Sequence, residues 1–193
     1  MNAPRLADAA REVLDFWFGA NDAARPEWFR KDPAFDDAIR RRFGAQVELA
    51  LAGGLAEWQE TPQGALAFIV LLDQFTRNIF RDTPRAFAGD ALALAAARAL
   101  VRDGGDRALS PRQRAFAYLP FEHAEDRALQ AESMRLFGAL AAAHPQMATS
   151  LEWAARHQVI IERFGRFPHR NLQLGRVSSE EERVFLQGPD SSF

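Results

Sequence analysis

Apolar residues recur along this chain at helical spacing, and the runs stop where glycine or proline stops a helix. Leu6, Val13, Leu14, Trp17 and Phe18 form one such stripe, ended by Gly19. A second opens with Asp32 as N-cap and Pro33 at the first helical position. It carries Phe35, Ile39, Phe43, Val47 and Leu51 four apart, and closes at Gly53-Gly54. Thr61-Pro62, Thr83-Pro84 and Ser110-Pro111 are cap–proline pairs of one kind, predicting helices into LLDQF, through the alanine-rich stretch to Asp103, and over RQRAFAYL. Arg127 to His144 and Gln146 to Phe164 predict a long antiparallel pair around His144-Pro145, with His144 as a helix end. Ser179 with Glu182 is a capping box for a last helix to Leu186. Strand signals are almost absent. The pattern predicts an all-α array of antiparallel helical hairpins.

Length bounds that picture at one sizeable core, so residues 1–187 are expected to be one helical domain and 188–193 a frayed tail. The chain is 48% hydrophobic and 26% charged, which excludes disorder over most of its length. A formal charge of −2 offers no general attraction to nucleic acid or to anionic membranes, so neither is an expected partner. Cysteine is absent, which removes disulfides, thiolate nucleophiles and cysteine-ligated zinc. Neither a signal-peptide core nor a run long enough for a bilayer is present, and the expected location is cytoplasmic.

Candidate chemistry begins at LLDQFTRNIFRDTP, residues 71–84, where a buried-type apolar run turns polar without losing its aromatics. At about 100° per residue, Asp73, Gln74, Arg77, Asn78 and Arg81 share one arc, and Phe68, Leu72, Phe75, Ile79 and Phe80 the other. Asp73 with Arg77 and Gln74 with Asn78 stand four apart and are expected to touch. Such groups on a buried helix either form an internal ion-pair lattice or line a cleft for an anionic or amide-bearing ligand.

Two further stretches carry the same tension. YLPFEHAED, residues 118–126, sets Glu122, His123, Glu125 and Asp126 beside the chain's one tyrosine. Residues 156–176 set His157, Arg163, Arg166, His169, Arg170 and Asn171 among apolar neighbours, with four arginines and no carboxylate from Arg163 to Arg176. The first stretch is the natural partner of the second, so Glu122, Glu125 or Asp126 are expected to hold the arginines. His123, His157 and His169 read as hydrogen-bonded core groups before they read as ligands. No metal is expected, because no two histidines share one helix at ligand spacing. Trp17, Trp28, Trp58 and Trp153 fall at helical apolar positions and read as core or rim.

Taken together, LLDQFTRNIFRDTPRAFAGD, YLPFEHAED and RFGRFPHRNLQLGRVSSEEERVFL resemble the bacterial domain-of-unknown-function 924 family, as do VLDFWFG, WFRKDPAFDDAIRRRFG and GGLAEWQETPQGALAFIVLLDQF. The resemblance covers nearly the whole chain. It implies an all-helical fold similar to tetratricopeptide-repeat superhelices, and no reaction, substrate, cofactor or catalytic residue. Where that family commonly has proline, this chain has Thr76, which permits an unbroken helix through Phe75 and Arg77. Ala124 and Ser179 stand where Ser and Thr are more usual.

The expected function is a polar, arginine-lined pocket for a small anionic or carboxylate-bearing ligand. Arg77, Arg81, Arg166 and Arg170 would hold the anion, Gln74, Asn78 and Asn171 would orient it, and His123 or His169 would shuttle a proton if chemistry occurs. Of the two nearby arginines, Arg166 is expected to be structural and Arg170 to face the pocket. Nothing nominates a nucleophile, and no cofactor is implied. A peptide- or protein-binding helical scaffold is the alternative from another class, and a metal-dependent hydrolase built on Glu122, His123 and His169 is a weaker one.

Overall fold

Helix α1 (Asp8–Phe18) turns Ala10, Val13, Leu14, Trp17 and Phe18 inward and ends at Gly19, whose φ of 67° suits a residue without a Cβ. These details come from a computed structural model that describes residues 6–19, 21–189 and 191. Helix α2 (Pro33–Leu51) starts as its sequence predicts: the Asp32 carboxylate accepts from the amides of Ala34 and Phe35, and Pro33 fills the first turn. Its inward stripe of Phe35, Ile39, Phe43, Val47 and Ala50 packs on the π turn and short helix that follow the next long element.

That element is α3 (Pro62–Ile69), capped by the Thr61 hydroxyl, which accepts from the Gly64 amide at 3.1 Å. It is buried all round, as an apolar run without a polar face must be. It continues without a break through a π-helical turn, Val70–Phe75, into α4 (Thr76–Ile79). Thr76 keeps the rod continuous, and its hydroxyl donates to the Leu72 carbonyl at 2.7 Å. Each fully buried Leu or Phe here contributes roughly 1.5–3 kcal/mol of transfer free energy.

The Thr83-Pro84 pair opens only a 3₁₀ turn, Pro84–Phe87, and α5 (Asp90–Arg102) begins later than expected. Thr83 does not cap; its hydroxyl donates to the Phe80 carbonyl. The interruption seats Gly89 against the π turn, where an added Cβ would lie 2.2 Å from the Leu72 carbonyl oxygen. Helix α6 (Pro111–Glu122) has the complete capping box of Ser110 and Gln113 and carries Pro120 within it. Helices α7 (Arg127–Ala143) and α8 (Ala148–Phe164) form the expected hairpin around the turn Pro145–Met147. Helix α9 (Glu180–Leu186) follows its Ser179–Glu182 box. The expected tail lies partly outside the described residues, at 190, 192 and 193.

Among the described residues the chain is helical without strands, so the all-α class holds. Helices α6, α7 and α8 contact one another in sequence, as stacked hairpins do. Helix α3 instead packs against α1, α5 and α6, and the π turn against α2, α5 and α6. One large core joins these elements, and a smaller one of Ile160, Ile161 and Phe167 lies with Phe164 and Phe185 under α9.

Candidate functional site

Four pieces of chain bring polar groups to the flank of the π turn. The turn itself presents Asp73 and, one step on, Gln74 and Arg77. The end of α6 presents Glu122 and its C-cap residue His123. Helix α8 presents His157 from its buried face, and the 3₁₀ turn Pro168–Arg170 presents His169 and Arg170. Because Gly89 lies flat on Leu72, the next residue, Asp90, joins them. A π turn is a usual companion of functional positions, since its extra residue re-aims side chains off the 3.6-residue pattern.

Asp73 is the hub. His123 Nδ1 lies 2.7 Å from its Oδ1, Gln74 Nε2 donates to its Oδ2 at 2.5 Å, and Arg77 lies 3.4 Å away. Arg77 also donates to the Asp73 carbonyl at 2.6 Å and forms a two-pronged pair with Asp90 at 2.8 and 3.1 Å. Arg170 approaches the same Asp90 at 3.5 Å, with its guanidinium 4.9 Å from the Phe87 ring centre and 4.5 Å from that of Phe167. His157 Nδ1 lies 2.9 Å from the Trp153 carbonyl and 3.1 Å from Glu122 Oε1, and its ring centre is 6.0 Å from that of His123. Glu122, His123 and His157 each offer a ligand atom within 4.8 Å of the others.

Burial sets the protonation states. It works against ionised Asp73, but His123, Arg77 and Gln74 outweigh it and hold the carboxyl well below the usual range. His123 is itself pushed down, by burial first, so its part in that balance is a neutral ring donating Nδ1–H. Burial, reinforced by the Asp73 charge, raises Glu122 to about 8 and keeps it protonated at neutral pH. Burial lowers His157 to about 3; burial and then the Arg170 charge lower His169 to about 4. Arg170 is lowered to about 10, by burial and then by Arg77. The cluster therefore holds two arginines against two aspartates, surrounded by neutral acid and imidazole groups.

The remaining predicted residues go elsewhere. Asn78 and Arg81 do not face the cluster: Arg81 grips Asp36 of α2 through two bonds of 2.8 Å, and Asn78 donates to the same carboxylate at 2.7 Å. Gln74 and Asn78 therefore each serve a different aspartate and do not pair. Arg166 is held by Glu182 at 2.7 and 2.8 Å, and Asn171 donates to Ser178 and Glu182, so both tie α9 to the chain. The expectation that Glu122, Glu125 or Asp126 would hold the arginines is met at one pair, Glu125 with Arg176, and needs correction for the others. Glu125 pairs with Arg176, Glu122 contacts His157, and Asp126 caps α7. The long separations, such as 45 residues between Arg81 and Asp36, leave no local trace for sequence reasoning. It also missed Asp90 and Phe87, although both lie in the quoted RAFAGD segment.

Shallow clefts of about 410 and 210 Å³ lie along α5, and neither is lined by a residue of this cluster. The cluster reaches solvent instead through Arg77 and Asp90, whose side chains are 21% and 27% exposed, over a floor of Asp73, Glu122, His157 and Arg170.

Compared with known proteins, residues 13–190 match the family model described as bacterial protein of unknown function (DUF924). The chain belongs to that family. A solved structure of a protein of unknown function, ATU0120 from Agrobacterium tumefaciens, is similar to it at 42% identity and a TM-score of 0.83. The match covers 93% of this chain and 97% of that one. No curated protein matches the chain. Among the described residues no helix is long and apolar enough to cross a membrane.

Proposed function

We propose that this member of the DUF924 family binds a small anionic or carboxylate-bearing ligand at the flank of the π turn, with Arg170 as the principal anchor and Arg77 beside it. The observation that carries this reading is the state of Arg170. Arg170 is 6% exposed, and its guanidinium makes one carboxylate contact among the described residues, at 3.5 Å, to an Asp90 that Arg77 already engages twice. Its Nε finds no acceptor among them. A guanidinium has five N–H donors, and one so buried and so little satisfied is unstable relative to the same group holding an anion. Phe87 and Phe167 keep its plane in place, which suits the flat, two-pronged grip of a carboxylate. His123, oriented by Asp73, stands ready as a proton carrier only if chemistry occurs. In this reading the protein is cytoplasmic and bacterial.

The scaffold reading has one observation in its favour: Leu172, Val177 and Val184 near the C-terminus are 88%, 86% and 60% exposed. Thermal shift separates the two. Phosphate, sulfate and malonate are titrated against wild type and Arg170→Lys. The anion reading expects a concentration-dependent rise in wild type, about 2.7 kcal/mol at a hundredfold excess over Kd, that Arg170→Lys reduces. A flat response to all three anions would remove its support.

A further inference from the structure

The absence of a histidine pair on any one helix leaves open a pair formed between helices, and α6 and α8 form one. We infer that Glu122, His123 and His157 constitute a binding site for a divalent transition metal, with zinc as the type ion. Two imidazoles and one carboxylate are the donor set of open catalytic zinc centres, which keep a fourth position for water or substrate.

Three independent features of the geometry support the site. First, the ligand atoms come from the last residue of α6, its C-cap and the buried face of α8, and lie within 4.8 Å of one another. Tetrahedral bonds of about 2.0–2.1 Å set donors roughly 3.3 Å apart, so closure needs only side-chain rotation. Second, both rings are held by the nitrogen that a metal does not need. His123 Nδ1 faces Asp73 Oδ1 at 2.7 Å, and His157 Nδ1 faces the Trp153 carbonyl at 2.9 Å. The Trp153 carbonyl only accepts, so His157 Nδ1 carries the proton, with Glu122 Oε1 3.1 Å from the same nitrogen; a His123 Nδ1–H toward Asp73 completes an arrangement typical of ligating histidines, in which Nε2 is the basic nitrogen. Third, Glu122 is 3% exposed, and its Oε2 has no hydrogen-bond partner among the described residues. A buried carboxyl oxygen without a donor is costly unless something cationic or polar meets it. His169, which the sequence reading placed in such a site, is not part of the trio.

The trio lies in the same cluster as the anion anchor but uses other side chains, and neither assignment depends on the other. If both are filled, an anion held by Arg170 would lie beside a dication, so the two would reinforce each other's binding. The test uses the full chain, stripped with chelator and shown to be folded by circular dichroism. Zinc is titrated in competition with a chromophoric chelator, and cobalt(II) is titrated with its visible spectrum as readout. Wild type is expected to take one equivalent, with an intense tetrahedral-type cobalt band. Glu122→Gln keeps the shape of the side chain, and it and His157→Gln should each weaken zinc at least 100-fold. Asp73→Asn, which keeps all three ligands but removes the carboxylate that orients His123 and also meets Gln74 and Arg77, should weaken it about 10–100-fold. No stoichiometric zinc uptake by wild type, or uptake that Glu122→Gln and His157→Gln leave unchanged, would overturn the assignment. An anion thermal shift retained in Glu122→Gln shows that failure here does not carry over to Arg170.

Discussion

Replacing Arg166 with alanine should destabilise the protein by about 2 kcal/mol and alter its response to acid. Arg166 closes on Glu182 through bonds of 2.7 and 2.8 Å and donates to the Val177 carbonyl at 2.9 Å, while the Glu182 carboxylate is almost fully buried. Removing one partner of a buried pair costs ~3–5 kcal/mol when the survivor is left alone. Glu182 would not be alone: the Ser179 amide still reaches it at 2.7 Å and Asn171 at 3.3 Å. Arg166 itself is about one-third exposed, which weakens the pair further. At about 2–4 °C per kcal/mol for a chain of this size, the melting temperature should fall by ~4–8 °C. The pH dependence follows from the hydrogen bond of Arg166, which holds Glu182 down at about 2 against 4.5 for a free glutamate. A depressed carboxyl contributes stability above its unfolded pKa and loses it as pH falls, here between about 5 and 2. Urea unfolding at pH 7 and pH 4 on wild type, Arg166→Ala, Glu182→Gln and the double variant isolates the pair. A melting temperature unchanged in Arg166→Ala, or an acid slope identical to wild type, would show that the Arg166–Glu182 pair contributes no stability.

Tyr118 is the chain's one tyrosine, donates to Asp106 at 2.5 Å and is raised to about 12 by burial and that bond, so absorbance of tyrosinate reads it alone. The native titration should centre near 12 and the urea-unfolded one near 10, with up to ~2.7 kcal/mol of stability lost as pH rises between them; coincident curves would contradict the buried bond. Gly89→Ala should cost about 2–4 kcal/mol in denaturant unfolding, because its Cβ would meet the Leu72 carbonyl oxygen at 2.2 Å. A neutral outcome would mean that α5 moves freely against the π turn.

Local signals were legible and remote ones were not. Asp32, Thr61, Ser110 and Ser179 cap helices as read, because a cap is decided within four residues. Thr83 misled for the same reason in reverse: a proline pair marks a helical start, but the close approach of Gly89 to Leu72 decides where the long helix begins. The polar arc of residues 73–81 was visible as chemistry, yet its division into an Asp73 half and an Asp36 half depends on α2, and the π turn breaks the periodicity from which one face was drawn. His123 and His157 were each legible as buried histidines. Their meeting with Glu122 is set by the packing of α6 on α8, which no spacing along one helix reports.

Isothermal titration of malonate into wild type and Arg170→Lys is the sharpest test of Arg170 as an anion anchor. Lysine keeps the charge but loses the planar fork. Saturable 1:1 binding to wild type is expected, weakened at least tenfold in Arg170→Lys, with melting temperatures that differ little because Arg77 still holds Asp90. No saturable heat from wild type, or equal affinity in both proteins, would contradict it.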